Sequence, residues 1–174
     1  RRLHPGRCLE RRVQILHLLR ELGYQIGAGS MTGIPGQTYE DIADDILFLK
    51  SLAPDMAGIG PFIPHADTPF SHCQSGDPRV TLKTLALVRI LTRDTHLPAT
   101  TALETLLGVA EGHQAGLKAG CNVIMPCFTP DAQRSKYSIY DNKARVTWDN
   151  AVSTVRKAGR KVAEDRGDSL KQER

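Results

Sequence analysis

Few of the residues in this chain have the type and spacing that chemistry requires. His65 and Asp67 stand two apart, and an imidazole with a carboxylate binds divalent ions. Two ligands do not make a metal site, so the preferred reading is a loop pair that ties down a turn. Cys8, Cys73, Cys121 and Cys127 form none of the close pairs of a zinc site, and a chain of this size needs no disulfide framework. They read as reduced thiols of a cytoplasmic protein, with Cys121 and Cys127 as buried small residues flanking an apolar stretch. Ser30 lacks the glycine spacing of a nucleophile elbow, which leaves it as a small residue admitting close backbone approach. Gly33-Ile34-Pro35-Gly36-Gln37-Thr38 could cradle an anion on backbone amides at a helix start, yet it lacks the lysine and spacing of a phosphate loop. Tyr137 and Tyr140 share a face if helical, and core filling or a cavity wall explains them equally.

The elements that must position these groups alternate between helical and extended patterns. Leu9, Val13, Leu16, Leu19 and Leu22 form one apolar helix stripe closed by Gly23. Tyr24 to Met31 reads as a strand. Thr38 with Asp41 predicts a capped helix burying Ile42, Ile46 and Leu49. Asp55 to Ile63 reads as a second strand. Asp77-Pro78 starts a helix carrying Leu82, Leu85, Ala86 and Ile90. Pro98 to Ala102 is extended, Gln114 to Lys118 helical, and Cys121 to Met125 a buried strand. A polar helix runs from about Asn150 to Glu164, followed by a charged tail expected to fray. About four strands separated by helices predict an α/β fold with a parallel sheet covered by helices. A complete (β/α)8 barrel needs eight such units and ~250 residues; 174 residues hold roughly half of one. The expected organisation is a barrel portion over 1–149 and a helix with charged tail over 150–174. The opening at Arg1 rather than Met is read as the mark of a fragment.

In parallel β/α folds ligands gather at the carboxyl ends of the strands. Those positions hold Ser30, Met31 and Thr32, then Pro61, Phe62 and His65, then Thr100 and Thr101, then Met125 and Pro126. The set lacks the carboxylate pair or His–carboxylate dyad of a hydrolase. Such a rim suits an extended ligand of mixed polarity and suits acid–base work poorly.

Composition narrows the classes further. Apolar residues are 40% and charged residues 24%, ordinary for a globular domain. No apolar run approaches the ~18 residues of a membrane span, and no signal-peptide pattern opens the chain. The net charge is +4, gathered at the two ends, while the central body carries an acidic excess. Aromatic residues are only 5%, so the basic stripe interleaved with aromatics that marks a nucleic-acid binder is missing.

Several strings occur in one order: Leu3-His4-Pro5-Gly6, Gly23-Tyr24, Gly27-Ala28-Gly29-Ser30-Met31, Gly33 to Thr38, and Gly58-Ile59-Gly60-Pro61-Phe62-Ile63-Pro64-His65. Pro98-Ala99-Thr100-Thr101-Ala102, Asn122-Val123-Ile124-Met125-Pro126 and Asp165-Arg166-Gly167-Asp168 complete the set. Each alone is unspecific. Together, over nearly the whole chain, they resemble the C-terminal half of the radical S-adenosylmethionine (SAM) maturases of FeFe-hydrogenase, the HydE family, which is related to biotin synthase and methylornithine synthase.

The resemblance implies the C-terminal half of a radical SAM TIM-type barrel. It implies a 4Fe-4S cluster on a CX3CX2C loop outside this chain, reductive cleavage of SAM to a 5′-deoxyadenosyl radical, and a part in H-cluster maturation. By position, Arg12 matches the arginine that pairs with the SAM carboxylate, and Met125 a residue beside the adenosyl group. Met56, Pro61, Thr100, Thr101, Tyr137 and Tyr140 match the cavity wall. The implied partners are a small-molecule or organometallic iron substrate and other hydrogenase maturases, with no nucleic acid and no membrane. The chain departs from the family in several ways. It has no CX3CX2C, Glu104 stands where glycine is more usual, Cys127 replaces an asparagine, and the optional second-cluster cysteines near Trp148 are absent. Alone, the chain is expected to be inactive and, with open sheet edges, prone to aggregate. The competing readings are another biotin-synthase-like or methylornithine-synthase-like enzyme, or a non-catalytic half-barrel module.

Overall fold

A computed structural model describes residues 6–134, 136 and 139–171. The elements are α1 (Leu9–Glu21), β1 (Gly27–Thr32), α2 (Tyr39–Leu52), β2 (Met56–Pro61), α3 (Pro78–Thr92), α4 (Thr101–Leu107), α5 (Glu111–Lys118), α6 (Asp131–Arg134) and α7 (Trp148–Lys157). The helix starts follow the sequence signals. Thr38 accepts from the Asp41 amide at 3.2 Å, while the Asp41 carboxylate accepts from the Thr38 amide at 2.7 Å, a complete capping box. Asp77 caps α3 by accepting from the Arg79 amide at 2.8 Å, with Pro78 opening the helix.

β1 and β2 pair in parallel, from Gly27 with Met56 through Thr32 with Pro61. Two shorter extended segments continue the sheet, since His96 bridges Met56 and Pro98 bridges Val123, both in parallel. The His96 amide donates to the Asp55 carbonyl at 2.8 Å, and the Ala99 amide to the Val123 carbonyl at 2.9 Å. Four extended segments therefore lie side by side in chain order, the half-barrel the alternation predicted. The last two are not full strands. Proline at 98 and 126 removes ladder donors, and the Leu97 amide is taken by the Asn122 side chain at 2.8 Å. The third extended segment accordingly ends earlier than expected, because α4 begins at Thr101 rather than after Ala102.

One face of this sheet is covered by helices. Ala57, Ile59, Leu97, Ala99 and Cys121 pack there with Ile46 and Leu49 of α2, Leu85 and Val88 of α3, Leu103 of α4 and Leu117 of α5. Several expectations change here. On α3 the buried stripe runs through Thr81, Thr84, Leu85 and Val88, leaving Ile90 68% exposed. The α1 stripe buries no residue fully, and Leu9 and Leu22 stand exposed. That helix is tied instead by Arg20, whose guanidinium donates to the Leu52 and Ala53 carbonyls at 2.5 and 2.8 Å. Helix α7 stops at Lys157, short of the predicted Glu164, where Gly159 takes a left-handed turn at φ 70°. The tail beyond it does not fray: hydrogen bonds tie it to the body as far as Lys171.

Candidate functional site

Alternation along the strands separates the sheet into two faces. Ala57 and Ile59 point into the helix-covered core, so Met56, Gly58 and Gly60 lie on the opposite, inner face. The same logic puts His96, Pro98 and Thr100 opposite Leu97 and Ala99. Gly27, Gly29 and Met31 lie opposite Ala28, which packs on the core. The inner face thus carries glycine at 27, 29, 58 and 60, all on β1 and β2, where such barrels ordinarily fill their interior with bulky branched side chains.

Packing forbids a side chain at one of these glycines and crowds a second. A Cβ on Gly29 would meet the Gly58 carbonyl oxygen at 2.0 Å, and one on Gly60 would meet Thr100 Oγ1 at 3.0 Å. Removing side chains brings Thr100 to the end of β2 and leaves the strand backbone open to a ligand. Thr100 is the N-cap of α4, yet its hydroxyl makes no capping bond, and Oγ1 is a buried atom without a hydrogen-bond partner. A buried polar atom left unpaired costs free energy, and one at the carboxyl end of a strand is suited to receive a ligand group.

The residues singled out from sequence fall as follows. Met56 and Thr100 lie on the inner face, and Met125, 51% exposed, lies at the end of the fourth extended segment. Thr101 opens α4, half-buried, its carbonyl accepting from Thr105 Oγ1 at 2.9 Å. Pro61 is buried in register with Ala57 and Ile59, on the helix-covered side. Tyr140 is half-buried; burial raises its phenol above the usual value, against a hydrogen bond with Thr105 of α4. Its loop is anchored at both ends: the Ala144 amide donates to Thr105 Oγ1 at 2.9 Å, and the Ala66 amide donates to Asp141 at 3.1 Å. The structure therefore brings Thr100, Thr101 and Tyr140 together at the carboxyl end of β2 and the start of α4, through Gly60 and Thr105, while Met56 stands at the opposite, amino end of β2. Arg12 stands exposed on α1, apart from this group. Tyr137 lies outside the described residues.

The remaining candidates resolve as structural. His65 Nδ1 accepts from the Asp67 amide at 3.0 Å and lies 3.8 Å from its carboxylate, the turn-tying role preferred from sequence. Ser30 points to the α2 side, where it hydrogen-bonds Asp45. Gln37 accepts from the Gly33 amide at 2.7 Å and donates to the Met31 carbonyl at 2.9 Å, closing the glycine-rich turn on itself. Cys121 is buried, and burial pushes its thiol up to about 12 despite Arg89 and Arg160 nearby. Cys127, expected to be buried, is exposed, beyond the fourth extended segment, with its amide donating to the Val146 carbonyl at 2.8 Å. A hydrogen bond from the Thr129 backbone, helped by the Thr129 hydroxyl, Arg134 and Lys143, holds its thiol below the usual value.

Sequence reasoning missed one pair. Glu104 and His113 are both buried between α4 and α5, with Oε1 of the acid 3.3 Å from Nδ1 of the ring. Oε2 accepts from the His113 amide at 2.8 Å, and Oε1 accepts from the Ala110 amide. Glu104 thereby caps α5 from a neighbouring helix, where Ala110 offers no side-chain cap. Burial pushes the imidazole below its ordinary range, against the pull of Glu104. The hint in the sequence was Gly112 and Gly116, four apart. A Cβ on Gly112 would sit 2.4 Å from the Glu104 amide nitrogen, so this glycine is what lets α5 approach α4 so closely.

No group of three or more histidines, cysteines or acids that could hold a metal occurs among the described residues. The four cysteines are dispersed, one of them inside the core, and they do not fit an iron–sulfur cluster. The inner face does fit an extended organic ligand, since Gly58 and Gly60 leave a cradle that side chains would fill.

No protein-family model matches the chain. It is 51% identical over 143 residues, 82% of its length, to the [FeFe] hydrogenase maturase subunit HydE of Thermotoga maritima. It is 26% identical over 160 residues to 3-methylornithine synthase of Methanosarcina barkeri, and 30% identical over 114 residues to biotin synthase of Rippkaea orientalis. The solved structure of methylornithine synthase superposes on 92% of this chain with a TM-score of 0.76 at 24% identity, covering 47% of that structure. The parallel strands, the covering helices and this kinship define a part of a radical SAM barrel of the biotin synthase type. Within that class the chain belongs to the HydE family. It spans 40% of the Thermotoga maritima protein and 43% of the Methanosarcina barkeri one.

Proposed function

We propose that this chain supplies the carboxyl-side half of the barrel of a radical SAM enzyme that cleaves SAM reductively during maturation of the FeFe-hydrogenase H-cluster. The observation that carries this reading is the 51% identity to HydE extending over 82% of the chain. The inner face supports it physically, because glycines at 58 and 60 leave room on that face for an extended, mixed-polarity ligand.

Bound SAM would supply a carbon-centred radical to such a cavity. The part of this chain is to hold and orient. Arg12 would pair with the carboxylate of SAM, a task suited to a planar fork of donors. Met125 would pack beside the adenosyl group. Met56, Thr100, Thr101, Tyr137 and Tyr140 would form the wall, with the unpaired Thr100 hydroxyl offering a hydrogen bond to substrate or a small anion, whereas Pro61, on the helix-covered side, would support it from behind. The 4Fe-4S cluster would be held outside this chain, whose own residues do not fit it. The substrate would be a small molecule or an organometallic iron species, with other hydrogenase maturases as partners and the cytoplasm as compartment. No helix of the described residues is long and apolar enough to cross a membrane.

The test is a chimera that joins the amino-terminal part of the Thermotoga maritima protein to this chain, reconstituted anaerobically and supplied with a reductant. Formation of 5′-deoxyadenosine from SAM, weakened by Gly60→Val, is the expected result. A folded, cluster-loaded chimera that forms none would overturn the reading.

A further inference from the structure

The segment after α7 crosses the amino ends of all four extended segments in turn. Arg160 donates to the Cys121 carbonyl at 2.9 Å and to the Leu117 carbonyl at 2.8 Å, at the start of the fourth. The Asp168 carbonyl meets His96 Nε2 at 2.8 Å, on the third. Ser169 Oγ donates to Asp55 at 2.5 Å, immediately before β2, while Lys171 reaches the Ala53 and Pro54 carbonyls. Gln25, ahead of β1, donates to Asp168 at 3.0 Å and accepts from the Ser169 amide at 2.9 Å.

The contact between Asp168 and His96 lies beneath the inner face. His96 is the bridge partner of Met56, and paired residues in a parallel ladder point the same way. A carbonyl can only accept, so His96 carries its proton on Nε2, and Nδ1 accepts from the Asn122 side chain at 3.0 Å. Asn122 is held in turn by the Leu97 amide and by Arg89, at 2.8 and 3.0 Å. The ring is thereby locked in one orientation that presents Nε2 to Asp168. A barrel interior filled with branched side chains needs no separate closure at its amino end. An inner face with glycine at 27, 29, 58 and 60 leaves that closure to another segment.

We propose that residues 165–171 form the floor of the inner-face cavity, closing its amino end beneath Met56, with His96 as the positioning residue that fixes the floor. That this cavity receives the ligand rests on the function proposed above; the floor itself does not. The test uses the 174-residue chain and the slow oxidation of its three methionines by peroxide, read residue by residue by mass spectrometry. Met31 and Met125, 43% and 51% exposed, are the internal references. Met56 is expected to oxidise more slowly than both. Ending the chain at Glu164 should speed Met56 several-fold and leave the references unchanged. The full-length double variant Ser169→Ala/Lys171→Ala should move Met56 in the same direction by less. An unchanged Met56 rate in the shortened chain overturns the proposal. So does a rise of all three methionines together, since that marks a segment that only stabilises the fold. A selective change at Met56 beside a chimera that forms no 5′-deoxyadenosine would keep the floor and remove the function.

Discussion

Replacing Glu104 by alanine tests how α4 and α5 are joined. The wild-type carboxylate lies 4% exposed and satisfies two backbone amides, those of Ala110 and His113, besides lying against the His113 ring. The substitution leaves both N–H groups without an acceptor where little water reaches. At ~1–3 kcal/mol for each orphaned donor, with the buried ring also losing its partner, the expected loss is about 3–5 kcal/mol. Urea unfolding followed by circular dichroism measures it as a lower midpoint at unchanged slope. Glu104→Gln keeps one acceptor but turns an NH2 group toward the other donor, so it should also destabilise. A pH series adds a second reading. His113 in the folded chain binds its proton less readily than the ordinary ~6.5, so its contribution is complete above about pH 6.5 and declines as pH falls below it. Without the opposing attraction of Glu104 that decline should steepen. A loss under about 1 kcal/mol with an unaltered pH profile would refute the reasoning, because it falls within the range of an ordinary surface substitution.

Gly29→Ala should cost more than the ~0.5–1 kcal/mol that alanine normally gains over glycine in a strand. Its Cβ would meet Gly58 backbone at 2.0 Å, and a thermal melt would show a clear drop in Tm. Asp55 is partly buried, which works against ionisation, yet Ser169, the Ile26 amide, Lys171 and Arg20 together hold its carboxyl below the usual value. Its contribution should therefore be complete above the ordinary carboxylate value of ~3.9 and be lost as pH falls through the lower folded value. Acid titration followed by amide exchange at Ile26 checks this, and Asp55→Asn should flatten the profile. Thiol labelling in native buffer should modify Cys127 quickly and Cys121 only on unfolding, as exposure and the opposite shifts of the two thiols require.

The sequence by itself determined the local pieces of this protein. Thr38 with Asp41, and Asp77 with Pro78, fix helix starts because their side chains satisfy amides within a few residues. Alternation and helix period separate strands from helices for the same reason: both are set by neighbours in the chain. The ordered strings from Leu3 to Asp168 were enough to indicate the family. Only the tertiary structure decided contacts between residues far apart in sequence. No pattern links Glu104 to Ala110 and His113, because the bond depends on how α5 packs on Gly112. Cys121 and Cys127 are the same residue type in similar company, and only the packing of the helices on the sheet buries the first and leaves the second exposed. The charged tail reads as solvated on composition alone. Its polar groups are satisfied instead by Gln25, Asp55 and His96, which come within reach only once the sheet has assembled.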